Sequence, residues 1–402
     1  MKVGILVKII KENASLIAVS WGHFVNDFFM SIVPVVLFAF ALKMDLSAIQ
    51  MSVVAFVITT GGTFFQPLVG LLIDRVQKSI LLIYALILIT LGMSLSGFIT
   101  NYYLLVLVVG FAALGSSVYH PLGSTITIHK TSLSKGKSLS VFMTVGSFAH
   151  SAAPIVAIPL VTIYGVEALA VLLVPGLLTA LALYLVKVQD VTWTRDAEDK
   201  GSKKKGKLTK KQQLQTSLPM FIAVVKSLIY RNVVVFGVII LGIKGIEPVA
   251  ASAVLTGFMI ARATATLSGG FVSDAIGEKK TMLLFNSGML FALVLVVYSS
   301  HLYLVIGGLI LLGFTINATS AANITLVHKI MPNNVNYGTG LIMGFAGTLS
   351  GVAILLYGIL VDRVGHVQSL NALVLLAGVV AVISLLIPTE FEEASEVEYS
   401  VE

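Results

Sequence analysis

Twelve apolar runs of about twenty residues, separated by short polar breaks, dominate this chain. They lie at 15–41, 48–73, 80–99, 103–128, 139–163, 168–186, 219–243, 249–272, 282–299, 302–327, 338–361 and 370–387. Each is long enough to cross a hydrocarbon core of about 30 Å as a helix. Composition agrees: 57% of residues are hydrophobic and only 11% charged, whereas a soluble surface needs about a quarter charged residues. The expected fold is an all-α membrane protein with twelve transmembrane helices in two pseudo-symmetric halves of six. Cysteine is absent, so there is no disulfide, thiolate metal site or cysteine nucleophile.

The evidence for two halves is an internal echo. Gly70-Leu71-Leu72-Ile73-Asp74-Arg75 ends the second run, and Gly270-Phe271-Val272-Ser273-Asp274 ends the eighth, 200 residues later. His129-Lys130 closes the fourth run and His328-Lys329 the tenth, 199 residues later. Repeats of this kind build many secondary transporters. The expected division is a first bundle at 1–187, a basic cytoplasmic linker at 188–218, a second bundle at 219–389 and an acidic tail at 390–402.

Lys and Arg set the orientation. With the N-terminus inside, the inner segments hold twenty of these residues and the outer ones only Lys43, Lys244 and Arg363. Both termini are therefore expected in the cytoplasm of a plasma-membrane protein. Nothing in 1–13 reads as a cleaved signal. The lysine-rich stretch 200–211 reads as a solvated linker that touches lipid headgroups. The net charge of +7 follows from the same topology and does not point to nucleic acid. The chain is expected to work as a monomer.

Gly70, Asp74 and Arg75, with Gly270, Asp274 and Lys279, read as a duplicated gating motif. The glycine admits a neighbouring helix, and the aspartate makes a contact that exists in only one of two states. A third version, Gly358 to Asp362-Arg363, lies at the outer end of the eleventh run.

The first run carries Ser20-Trp21-Gly22-His23-Phe24-Val25-Asn26-Asp27, which puts His23, Asn26 and Asp27 on one helix face. Asp27 is the acidic residue deep inside a span. A charge there costs about 2.5–3.5 kcal/mol on insertion scales, so it needs a partner, a water-filled cavity or a proton. His23 and His120, the latter in Tyr119-His120-Pro121, are the side chains most easily switched near neutral pH. Asp27, His23 and His120 are the candidate proton-coupling residues. Asn26, Tyr119, His150, Arg231, Arg262, Asn317 and Asn323 are the candidate lining of a substrate cavity. Arg231 and Lys226 lie early in the seventh run, where long stems can snorkel to the inner surface. Arg262 is too deep for that and needs an anion: Asp27, a group of carbonyls or the substrate.

No Gly-rich phosphate loop, HExxH or supported Ser-His-Asp set is present. The chain is therefore not expected to be an enzyme, and no cofactor or metal is expected.

Twelve helices in two halves with the Asp74 and Asp274 loops resemble the major facilitator superfamily. Within it, Gly22 to Asp27, Gln66-Pro67-Leu68-Val69-Gly70 and Tyr119-His120-Pro121 resemble the fosmidomycin resistance subfamily. Its members often carry an acid after the Tyr-His-Pro, where this chain has Leu122. The resemblance implies a rocker-switch transporter whose cavity is lined by the first, fourth, seventh and tenth helices, and efflux by proton exchange. The reading is a proton-coupled antiporter that exports a small organic molecule or drug, with the arginines drawing a negative group. Two alternatives stand beside it: a proton symporter importing a sugar or organic acid, and a membrane sensor or scaffold that transports nothing.

Overall fold

The computed structural model describes residues 13–129, 135–192, 210–331, 338 and 341–387, and every regular element among them is helical. Among the described residues, eleven helices are long and apolar enough to cross a membrane. The remaining expected run, 48–73, is divided into the helices Ala48–Thr63 and Gln66–Val76. The second piece has a proline in its first turn, and proline offers no backbone N–H to continue the ladder. The Gln66 side-chain amide donates to the Gly62 carbonyl at 2.7 Å across the break. The tenth run is also interrupted, between Leu302–Ala318 and Ser320–Ile330. There the backbone of Gly269 lies so close that an added Cβ would sit 2.0 Å from the Ala318 carbonyl oxygen.

Packing divides the described residues into two compact units. One draws on 1–196, 231–260 and 351–369, the other on 197–230, 261–350 and 370–402. The helices Lys210–Ile243, Pro248–Ile276 and Ala346–Val364 each contribute to both.

In the first unit, Phe29, Phe40, Tyr119, Phe142 and Phe236 are among the fully buried side chains. Tyr103, Leu107, Phe111 and Leu178 on its helices are exposed. Such apolar exposure suits lipid rather than water, because hydrocarbon tails solvate these groups at no cost. Hydrogen bonds tie alternate loops together. Lys43, in the last turn of the helix Leu37–Met44, donates to the Gly97 carbonyl at 2.7 Å and pairs with Glu167 at 2.6 Å, joining that helix end to two short 3-10 helices at one end. At the other end, the Ser79 hydroxyl donates to the Val191 carbonyl. This alternation is what an up-and-down bundle with short connections requires.

The helix Ala48–Thr63 starts under two caps. The Ser47 and Gln50 side chains form a capping box. The Asp362 carboxylate, 314 residues away in sequence, accepts from the Ala48 N–H at 2.7 Å and the Ile49 N–H at 3.0 Å. A carboxylate satisfies the otherwise unpaired N–H groups of a first turn and complements the helix dipole. Gly358, one turn earlier than Asp362, lets the two helices close up: a Cβ there would lie 2.4 Å from Ser52 Oγ.

The second unit is held by the Asn286 amide donating to Ser384 Oγ at 2.8 Å, by Tyr298 to Asn371 at 2.7 Å, and by a Lys329–Glu278 ion pair at 2.7 Å.

Candidate functional site

Three helices of the first unit converge on Asp27: Ala14–Val35, Tyr102–His129 and Lys135–Tyr164. The helical spacing of His23 and Asp27 brings His23 Nε2 to 3.2 Å from Asp27 Oδ2. His120 Nε2 comes from the second helix to 3.3 Å from Oδ1, and His150 Nε2 from the third to 3.9 Å from Oδ2. The Asn26 amide donates to Oδ1 at 2.7 Å and to Ser116 Oγ at 3.1 Å. Asp27 is 7% exposed and His23 2%, while the His120 and His150 side chains are each 29% exposed. The carboxylate is thus enclosed, with its open side at two imidazoles.

The hydrogen-bond pattern fixes a proton count. His23 Nδ1 is 2.7 Å from the Phe142 carbonyl, which only accepts, so this nitrogen carries a hydrogen. His23 Nε2 then faces two acceptors, Asp27 Oδ2 and, at 3.1 Å, His120 Nδ1. If both imidazoles are neutral and the carboxylate is ionised, the hydrogen on His120 Nε2 serves Asp27 and leaves His23 Nε2 with a lone pair against an oxygen. One additional proton on His23 Nε2 or on the carboxyl group completes the triangle. The cluster thus offers two adjacent places for one additional proton, His23 Nε2 and the Asp27 carboxyl group. The donor atoms of His23, Asp27 and His120 lie within 4.8 Å of one another, a spacing a metal ion would tolerate.

Two glycines make room for the cluster, a role that sequence reasoning missed. A Cβ on Gly146 would lie 2.3 Å from His23 Cε1, and one on Gly22 would lie 2.1 Å from the Tyr119 hydroxyl. His23 stacks on Phe142 with ring centroids 4.0 Å apart. Phe142 and Gly146 are one turn apart, so one helix supplies the stacking ring, the accepting carbonyl and the gap. The Tyr119 hydroxyl donates to the Val19 carbonyl at 3.0 Å. The Gly22-His23 and Tyr119-His120 motifs are the two sides of one helix contact. Tyr119 and Asn26 are fully buried in it. Leu122 is buried as well, so the site carries a single carboxylate.

His150 also meets the first helix through Ser31, with Nδ1 2.6 Å from Oγ. The Arg231 guanidinium donates to Thr59 Oγ1. In the second unit, Arg262 lies over the Tyr230 ring, 4.1 Å from its centre. The Asn317 amide donates to Thr266 Oγ1 at 2.8 Å, and the Asn323 amide to the Pro219 carbonyl at 3.1 Å. Lys226 corrects the expectation of a snorkelling side chain. Its helix begins at Lys210 rather than 219, which places residue 226 well inside the unit, 6% exposed, with its ammonium donating to Thr319 Oγ1.

Of the gating residues, Gly70 and Asp74 belong to the helix Gln66–Val76, and their surroundings lie outside what is described. Arg75 is exposed. Gly270 is half-buried, Asp274 is exposed near the end of Pro248–Ile276, and Lys279 stands in the first turn of Glu278–Tyr298.

The sequence pattern of the Major Facilitator Superfamily matches residues 19–243 and again 220–398. The chain is similar to an MFS-type transporter of Bacillus subtilis, YfnC, with 23% identity over 93% of both proteins. It is similar to the fosmidomycin resistance protein of Escherichia coli, with 24% identity over 86% of both. Its fold matches a bacterial homologue of the human lysosomal transporter Spinster in an inward-facing, occupied conformation, at a TM-score of 0.79 and 14% identity, over 94% of this chain and 97% of that one. The nucleoside transporter NupG matches at a TM-score of 0.71 and 14% identity, over 93% of this chain and 98% of that one.

Proposed function

The chain belongs to the Major Facilitator Superfamily, and from that membership we propose that it is a proton-coupled secondary transporter exporting a small organic molecule by alternating access. The observation that carries the proton coupling is one carboxylate, Asp27, enclosed by His23, His120 and His150 inside a membrane-spanning bundle. The cluster closes its hydrogen bonds with one proton more than its neutral imidazoles and ionised carboxylate hold. Loss of that proton sets a lone pair against an oxygen, and repacking or rotation relieves it, which links proton release to a change of state. His120 and His150, the two partly exposed imidazoles, are the route by which protons reach Asp27. Export, rather than uptake, is supported by the similarity to a resistance protein.

In this reading residues 1–187 and 219–389 are the two moving halves, both termini are cytoplasmic, and the protein works as a monomer. Arg231, Arg262, Asn317 and Asn323 belong to the substrate path. The Asp74 and Asp274 motifs act at the inner gate. At the outer end, Asp362 joins a helix of the second half to the start of Ala48–Thr63 in the first. That contact has to break when the outside opens.

The test is Asp27→Asn in proteoliposomes and everted vesicles with an imposed pH gradient. The amide keeps the size and one acceptor but releases no proton. Gradient-driven net transport is expected to disappear while substrate exchange at equal pH survives. Wild-type pH-driven transport by Asp27→Asn would remove the coupling role and leave Asp27 a packing residue. Accumulation inside everted vesicles marks export, and accumulation inside right-side-out vesicles marks uptake.

A further inference from the structure

We propose that His23, Asp27 and His120 form a binding site for a divalent transition-metal ion of the zinc class, with His150 beside the fourth ligand position. Bound there, the ion takes the place of the additional proton and blocks transport. The site itself stands on geometry, whereas the block rests on the proton-coupled reading above. One donor atom from each of the three side chains lies within 4.8 Å of the other two. The closest approaches are 3.2 Å from His23 to Asp27, 3.3 Å from His120 to Asp27 and 3.1 Å between the two imidazoles. Ligand atoms about 2.0–2.1 Å from a tetrahedral zinc ion lie about 3.3–3.4 Å from one another. The three groups therefore already stand near the spacing that such an ion imposes.

The outer contacts are those of a ligand set. A metal-binding imidazole turns one nitrogen to the ion and gives its other N–H to an acceptor that fixes the ring. His23 Nδ1 donates to the Phe142 carbonyl at 2.7 Å, which leaves Nε2 for the ion. His150 repeats the arrangement. The Ser31 hydroxyl gives its one hydrogen to the Asp27 carbonyl at 2.8 Å, so it accepts from His150 Nδ1 at 2.6 Å. His150 Nε2, 3.9 Å from Asp27 Oδ2, is then the lone-pair nitrogen of a neutral ring. The carboxylate is oriented too, by the Asn26 amide 2.7 Å from Oδ1. Two lone-pair nitrogens thus face one carboxylate inside a membrane-spanning bundle, and a cation satisfies all three groups at once. Imidazoles with a single carboxylate suit zinc, copper, nickel or iron, whereas magnesium and calcium take oxygen ligands. The His120 and His150 side chains, each 29% exposed, give the ion a way in. The ligands come from three separate helices, so no local motif along the chain marks the site.

Full-length protein in detergent, purified with a tag free of histidine and titrated calorimetrically with zinc chloride, tests the site. Saturable binding of one ion per chain is expected. Asp27→Asn and His120→Gln should each weaken it at least about tenfold, since losing even an outer partner of a metal ligand costs about 10–100-fold in affinity. Loading with cobalt(II) gives a second readout. A four-coordinate site with nitrogen ligands produces strong visible absorption, which both variants should lose. Magnesium in about a thousandfold excess should leave zinc in place. Melting curves report folding, and if Asp27→Asn does not yield folded protein, the partly exposed His120→Gln carries the comparison. Absence of saturable zinc binding overturns the site, and so does displacement by magnesium. Unchanged zinc affinity and cobalt absorption in His120→Gln also overturn it, by assigning the metal to a surface histidine. In proteoliposomes saturating zinc should stop pH-driven transport. Binding needs no gradient, so the two readings fail separately. Coupling lost in Asp27→Asn without zinc binding to the wild type removes only the metal site. Zinc bound at Asp27 with undiminished pH-driven transport overturns the block and, with it, the coupling role of the cluster.

Discussion

Gly146→Ala is the sharpest probe of the Asp27 cluster, because the change is one methyl group and its position is known. The added Cβ would lie 2.3 Å from His23 Cε1, 2.5 Å from Nδ1 and 2.6 Å from Nε2, against 3.4–4 Å for ordinary contact. The imidazole therefore has to move by about 1 Å. It cannot do so freely: His23 is 2% exposed, stacked on Phe142 and hydrogen-bonded to the Phe142 carbonyl. Overpacking a core of this kind costs about 1–3 kcal/mol, and the hydrogen bond lost or stretched adds about 1 kcal/mol. Alanine also favours a helix over glycine by about 1 kcal/mol, which works in the opposite direction. Gly347→Ala removes this ambiguity, since its Cβ would have nothing within 4 Å and it gains the same propensity. The difference between the two variants isolates the clash. Thermal unfolding of the purified proteins should place Gly146→Ala well below Gly347→Ala. In proteoliposomes Gly146→Ala should lose most pH-driven transport, because the displaced ring no longer shares a proton with Asp27. Equal melting temperatures and equal transport in the two variants would refute the claim that Gly146 exists to seat His23.

Two further outcomes follow from the contacts and the charge pattern. Asp362→Asn removes a charged cap from the helix Ala48–Thr63, worth about 0.5–2 kcal/mol. A cysteine placed at the buried Ser52 should then react several-fold faster with an impermeant thiol reagent added outside, and an unchanged rate would show that Asp362 holds no gate. Native cysteines are absent, so orientation can be read on a clean background. A cysteine at Asn101 should react in intact cells and one at Ser202 should be protected, and the reverse pattern would invert the topology.

How far the sequence carried the site depends on the kind of contact involved. Asp27 and His23 are one turn apart, so helical spacing alone put them on one face. His120 was legible as a rare titratable group in a span, but its distance from Asp27 was not. Gly22 and Gly146 were visible only as small residues, since nothing along the chain says which neighbour fills the space a Cβ would take. Lys226 reads from the sequence as lying in the first turns of its helix, whereas the helix begins at Lys210 and the side chain is buried. Asp362 was recognised as a third copy of a motif, yet its partners stand 314 positions earlier. No local pattern encodes a pairing of that range.

The number of spans, the absence of strands among the described residues and the presence of a buried acid were set by the sequence itself. Lipid tolerates only long apolar helices, and such helices announce themselves residue by residue through length and composition. The tertiary structure alone decided which imidazoles surround Asp27 and which glycines yield space to them. Those outcomes depend on the rotation and depth of each helix, and in a bilayer these are fixed by side-chain packing between helices, where apolar pattern is uniform and carries little information.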